Sequence, residues 1–332
     1  MTNAVAALFL LGWSGAIEAQ APNSVKLEIV TRDLSWYVAD GTPYANYATV
    51  QQRTSPSAYR AFGYYTSLSD VVSVNGRPAK GVNTSWENIL RLSTNSTNPP
   101  NGRAIADVNG HFTQGTQIFE ILQADGTPVG SLVLQGFTNG PVPPGTPNGW
   151  GGDTGGFYSI TGGTGAFLGA RGYCTGFQRP GTPTRGGASA AEDPLRRRER
   201  GGDEFVTPCN LIPMFVPEIV SVFHADFTPV TAARPGRAGE ILIASVRGLG
   251  PTVPGVEPGA PFPASPVQTV NSPIEMTAGG QPVEVLNQIG WPGQENLYRL
   301  DFRVPKVDAS ATAMLRITAA WIPGPAYPIA VQ

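Results

Sequence analysis

The chain has 332 residues and a formal net charge of −2, from 22 basic and 24 acidic side chains. That balance gives no global field for nucleic acid or anionic lipid, so no nucleic-acid partner is expected. Only 14% of residues are charged, while 41 Gly and 32 Pro, without a collagen-like period, favour a loop-rich β protein. The length allows two domains, each with its own core.

Residues 1–19, MTNAVAALFLLGWSGAIEA, carry an apolar run from Ala4 to Trp13 and then small residues up to Ala19. This pattern predicts a secretory signal peptide cleaved near Ala19, although the usual basic start is missing. No later segment reaches the 18 or so apolar residues of a membrane helix. The mature protein is therefore expected to be secreted and not membrane-spanning.

From residue 22 to 177 short β-type segments alternate with Gly, Pro, Asn and Asp clusters, and no helical period is sustained. The clearest hairpin has arms at Gln117–Gln123 and Gly130–Phe137 around Ala124-Asp125-Gly126-Thr127, where Asp-Gly supplies positive φ. The Gly- and Pro-rich stretch 138–156 reads as a surface loop. Residues 178–216 read as loop and linker, with an Arg-rich excursion over 185–204. There Arg196, Arg197, Arg198 and Arg200 are cancelled by Glu192, Asp193, Glu199, Asp203 and Glu204. Residues 217–332 show the alternation of a β-sandwich, most plainly in NLYRLDFRVP, where Tyr298, Leu300, Phe302 and Val304 alternate with charged residues.

In an oxidising compartment the only two cysteines, Cys174 and Cys209, are expected to pair. The bridge would be worth roughly 3 to 4 kcal/mol in the chain-entropy model. Neither histidine, His111 or His224, lies beside them in sequence, so a metal site is not expected.

The stretch SITGGTGAFLGARGYCTG, residues 159–176, superficially matches a dinucleotide-binding loop. Such a loop needs a following helix for the pyrophosphate, whereas Gly169, Gly172, Gly176 and Pro180 interrupt any helix here. No acidic residue follows before Glu192, and none of the ten tyrosines has a lysine four positions later. A nicotinamide cofactor is excluded on these grounds, and no other cofactor is expected. A hairpin explains the glycines instead: Tyr158–Thr161 as one strand, a turn at Gly162, Gly163, Thr164 and Gly165, and Ala166–Thr175 as the return. On that return strand Phe167, Arg171 and Tyr173 are expected on one face, with Leu168, Ala170 and Cys174 on the other.

GSLVLQGF at 130–137 followed by FYSITGGTGAFLGARGYCTG at 157–176 resembles the strand, glycine turn and strand signature of the dirigent and allene oxide cyclase superfamily. The resemblance covers about Arg103 to Gly176 and implies an eight-stranded antiparallel barrel with an apolar cavity. Residues 217–332, with the GLGP turn, PGAPFP loop and LYRLDFRVP strand, resemble an immunoglobulin-like C-terminal domain of secreted bacterial proteins. The predicted architecture is thus all-β, a barrel followed by an immunoglobulin-like sandwich.

Arg171 transfers as the arginine of the matched motif, and Tyr173, Asp107 and Glu120 are ligand-binding candidates by their place on barrel strands. Each also has a structural reading: Arg171 paired or at the surface, Tyr173 packed, Asp107 and Glu120 in water or capping turns. His111, after Asn109-Gly110, fits a turn hydrogen bond better than a general base. No Ser/His/Asp set or paired carboxylates stand out. The leading expectation is a non-enzymatic secreted protein whose barrel binds a small apolar ligand or glycan. The alternatives are a cofactor-free cyclase or isomerase acting on a reactive hydrophobic substrate, and a self-associating subunit of an extracellular assembly.

Overall fold

A computed structural model describes residues 24–40, 61–91, 111–138, 156–179, 197–199, 204–257, 259–306 and 312–332, and every regular element among them is a β-strand. Residues 1–19, expected to be a signal peptide, Asp107 and nearly all of the stretch 138–156 lie outside the described residues.

The first half carries β1 (Val25–Asp40), β2 (Ala61–Val74), β3 (Arg77–Arg91), β4 (His111–Gln123), β5 (Pro128–Thr138), β6 (Gly156–Gly165), β7 (Arg171–Gln178), β8 (Arg197–Glu199) and β9 (Phe205–Ile212). Eight of them close in the order β2-β3-β4-β5-β6-β7-β9-β1, with β1 pairing back onto β2, and every pairing is antiparallel. Closure gives each of the eight strands a partner on both sides. The three residues of β8 pair with Ser35–Tyr37 of β1.

Short turns gather at one end, the base. Asn75 (φ +50°) and Gly76 (φ +72°) join β2 to β3 in the doubly left-handed form that matches strand twist. The predicted Asp-Gly turn joins β4 to β5: Gly126 has φ +96°, and Asp125 Oδ1 accepts from Thr127 N–H at 2.9 Å. The longer connections 41–60, 92–110, 139–155 and 179–204 join strands at the opposite end, the mouth.

The third base turn corrects the sequence reading. Gly162, Gly163 and Gly165 are not a turn; they lie in β6, paired with Val133, Leu132 and Gly130 of β5. The chain reverses at 166–170, because Phe167 (1% exposed) and Ala170 (0%) are drawn into the core. Phe167 therefore faces inward with Cys174, not outward with Arg171 and Tyr173, and Leu168 is the residue left exposed. The glycines permit close approach: a Cβ at Gly163 would stand 2.4 Å from the Phe167 carbonyl oxygen and 2.6 Å from that of Ser131.

A second correction concerns 178–216. Phe205–Ile212, read as linker, is the barrel strand that joins β7 to β1. Arg197–Glu199, read as solvated loop, is the short strand β8. Cys174 and Cys209 are directly opposed on β7 and β9 and form the expected disulfide, with Cα atoms 4.0 Å apart. The bridge pins the seam where the chain returns after its excursion.

The second half carries β10 (Glu218–His224), β11 (Ile241–Arg247), β12 (Thr252–Val253), β13 (Thr269–Val270), β14 (Ile274–Ala278), β15 (Gln281–Pro282), β16 (Glu284–Gly290), β17 (Tyr298–Arg303), β18 (Thr312–Ala319), β19 (Ile322–Pro323) and β20 (Tyr327–Ala330). They form two open sheets, β10-β11-β17-β16-β13-β12 and β15-β14-β18-β19 with β20 on β18. The alternation read from β17 holds: Tyr298, Leu300, Phe302 and Val304 are at most 5% exposed and enter one core with Leu242, Leu315 and Ile317.

This sandwich packs against the barrel base. Ala320 and Ile322 belong to the barrel's own apolar cluster, and Trp321 packs against it. Ala320 (φ +48°) and Trp321 (φ +62°) form a two-residue hairpin turn that would ordinarily be Asn-Gly. Left-handed conformation costs a bulky residue about 1 to 2 kcal/mol; docking of the turn into the barrel offsets it. Gln123 Nε2 donates to the Asn271 carbonyl at 2.8 Å, Asn271 Nδ2 donates to the Pro128 carbonyl, and Arg77 reaches Glu275 at 3.1 Å.

Candidate ligand site inside the barrel

Because strand side chains alternate, half the residues of each barrel strand face inward. Toward the base these are apolar: Leu27, Ile29, Phe119, Leu132 and Leu211 are at most 1% exposed. Burying each is worth about 1.5 to 3 kcal/mol, so this half serves as the core.

Nearer the mouth the inward positions of β2 and β3 turn polar. Ser67 and Ser69 follow Val71 and Val74 in the inward register of β2, and Asn83 and Ser85 follow Ala79 on β3. Ser67 lies opposite Ser85 and Ser69 opposite Asn83, so the four make one tile on the inner wall. Ser67, Ser69 and Ser85 are 5%, 3% and 1% exposed. The Ser67 and Ser85 hydroxyls share a hydrogen bond of 2.5 Å, whereas Ser69 Oγ and Asn83 Oδ1 are buried without a partner. The next strand sets Phe119 beside Asn83 and Gln117 beside Ser85. Thr175 Oγ1, also buried and unpaired, belongs to the other face of β7, since Cys174 before it points inward.

A buried polar atom left unpaired costs about 1 to 3 kcal/mol. Two such atoms stand side by side on one inner wall, Ser69 Oγ and Asn83 Oδ1, with hydrogen-bonding capacity that no described protein group meets. The chemistry here is neutral: hydroxyls donate or accept, and the amide oxygen accepts. Among the barrel strand residues whose side chains are described, the charged ones, from Lys26 and Glu28 to Asp70, Lys80, Glu120 and Arg171, are all exposed.

The sequence candidates lie elsewhere. Glu120 and Arg171 are exposed on the outer wall, and Tyr173 beside them is 38% exposed. Arg171 NH1 donates to the Ala170 carbonyl at 2.8 Å and to that of Gly169 at 3.4 Å. The structure does not bring Glu120, Arg171 and Tyr173 to the inner wall. Asp107 lies outside the described residues, as does the side chain of His111, whose backbone opens β4 opposite Arg91.

Charge clusters occur outside the interior. Glu204, beside β9, is held by Arg32 at 2.9 Å and by Arg179. In the sandwich, buried His224 sets Nδ1 2.6 Å from Glu240 Oε1 and Nε2 3.2 Å from the Arg234 carbonyl. Partial burial works against the charge on Glu240. Hydrogen bonds from His224 and the Arg237 backbone, with the charges of His224 and Arg234, outweigh it and hold the carboxyl below its usual range. Hydrogen bonds from Thr228, then Arg234, bring Asp226 down to about 2. Burial pushes Tyr298 up to about 12, and its hydroxyl donates to the Gly250 carbonyl at 2.5 Å. Among the described residues no group of three or more His, Cys, Asp and Glu is placed to hold a metal, and no helix is long and apolar enough to cross a membrane.

Compared with known proteins, the chain matches no family model and no curated relative.

Proposed function

We propose that this is a secreted, non-catalytic binding protein whose barrel takes up a small, mostly apolar molecule from the mouth, with the sandwich as base and display module. One observation carries the reading: the inner wall changes from a packed apolar core to a polar tile with unpartnered Ser69 Oγ and Asn83 Oδ1. A barrel serving only as a scaffold gains by filling those positions with apolar side chains. Small-molecule sites commonly have this composition, apolar walls with a few placed polar groups. The disulfide is compatible with an extracellular location, and the pattern of residues 1–19 supports secretion. The dirigent-like signature of 157–176 adds a family in which such interiors receive hydrophobic molecules.

Native mass spectrometry of the full chain mixed with 1-decanol tests the reading. A saturable one-to-one complex is expected, abolished by Ser69→Trp, which fills the interior. Absence of saturable binding, or binding unchanged by that substitution, overturns it.

A further inference from the structure

We infer that the bound molecule is uncharged where it meets the inner wall and presents there a hydroxyl or amide N–H that donates to Asn83, with Ser69 completing the contact. The inference rests on the reading that the barrel interior takes up a small molecule.

Three observations lead to it. Asn83 Oδ1 can only accept, and it is buried without a donor. Its cross-strand partner Ser69 is 3% exposed, and although its hydroxyl could donate to Asn83, the two are not bonded to each other. Both are therefore available to one external group, since directly opposed Cβ atoms on one face stand about 4.5 to 5.5 Å apart. The neighbouring Ser67 and Ser85 satisfy each other at 2.5 Å, which limits the demand of the tile to the Ser69 and Asn83 positions.

The described surroundings favour a neutral group. Phe119 flanks Asn83, and the described charged side chains of the barrel strands are on the outer wall. Among the described side chains, a carboxylate brought here meets no cation to replace its hydration, and an ammonium meets no anion. An alcohol or amide loses far less on entry, and it supplies the donor the amide oxygen lacks. A hydrocarbon or an ether supplies none and leaves Asn83 unpaired.

The test compares three probes of similar length with the full chain at pH 7.4: 1-decanol, methyl nonyl ether and decanoate. The alcohol is expected to bind roughly tenfold more tightly than either of the others, in line with one buried hydrogen bond that is otherwise unmade. Asn83→Leu should reduce that ratio to about one, while leaving ether binding in place. Ser69→Ala is expected to raise the melting temperature of the ligand-free chain by a few degrees, because it removes an unpaired buried hydroxyl. This readout also shows that the variant folds. Equal binding of alcohol and ether, tighter binding of decanoate, or an alcohol preference that survives Asn83→Leu overturns the inference while leaving barrel uptake standing. No binding of any probe overturns both.

Discussion

The two ends of the barrel use the same strands for opposite purposes. At the base, turns are as short as two residues, the inward positions are apolar, and the sandwich turn Ala320-Trp321 seals the cluster. At the mouth, connections of 17 or more residues join the strands, and the inner wall exposes hydroxyls and an amide to one another rather than to a packed core. The base is where burial exceeds entropy. The mouth end retains a local deficit at Ser69 and Asn83, which the proposed ligand would remove.

Substitutions at the two ends should separate in size. Phe167→Ala, at the base and 1% exposed, is expected to cost about 3 to 5 kcal/mol, read from urea unfolding. A loss below about 1 kcal/mol would mean that the base is loosely packed. Replacing Cys174 and Cys209 together by serine should cost about 2 to 4 kcal/mol and leave alcohol binding measurable, since the bridge fixes the seam and not the tile.

Acid reaches the sandwich under the base. Glu240 and Asp226 both have carboxyls lowered from their ordinary values of 4.5 and 3.8. The stability they contribute is present above those values and is lost as pH falls through the lower folded ones. The urea midpoint should therefore decline below about pH 4.5, and Glu240→Gln should flatten that decline. A midpoint unchanged down to about pH 3 would contradict a stabilising role for the Glu240 carboxylate and its hydrogen bond with His224. The smallest effect is expected on the outer wall, where Arg171→Ala should alter stability by less than about 0.5 kcal/mol and leave binding intact. Loss of binding there would return the site to the motif arginine.

Much of this was legible in the residues. The Asp125-Gly126 hairpin, the disulfide and the β17 alternation follow from local rules: turn chemistry, cysteine pairing and period two. Strand β9 was not legible, because Pro208 cannot donate to a ladder and Arg- and Gly-rich sequence precedes it. Its partner β1 lies some 180 positions earlier. The GGTG run misled because glycine marks close backbone approach as readily as reversal, and only the burial of Phe167 decides between them. The tile was hidden by inverted alternation. Between Ser67 and Ser69 stands Leu68 (37% exposed), and after Ser85 stands Trp86 (62%), so a rule of apolar inside assigns these stretches the wrong face. Strand register, set from the apolar base, overrides that local preference.

The most direct measurement is the backbone amide NMR spectrum of the full chain as 1-decanol is added. The largest shifts are expected at Ser67, Ser69, Asn83 and Ser85, with Arg171, Tyr173 and Glu120 unmoved. Shifts confined to the outer wall, or none at saturation, would contradict it.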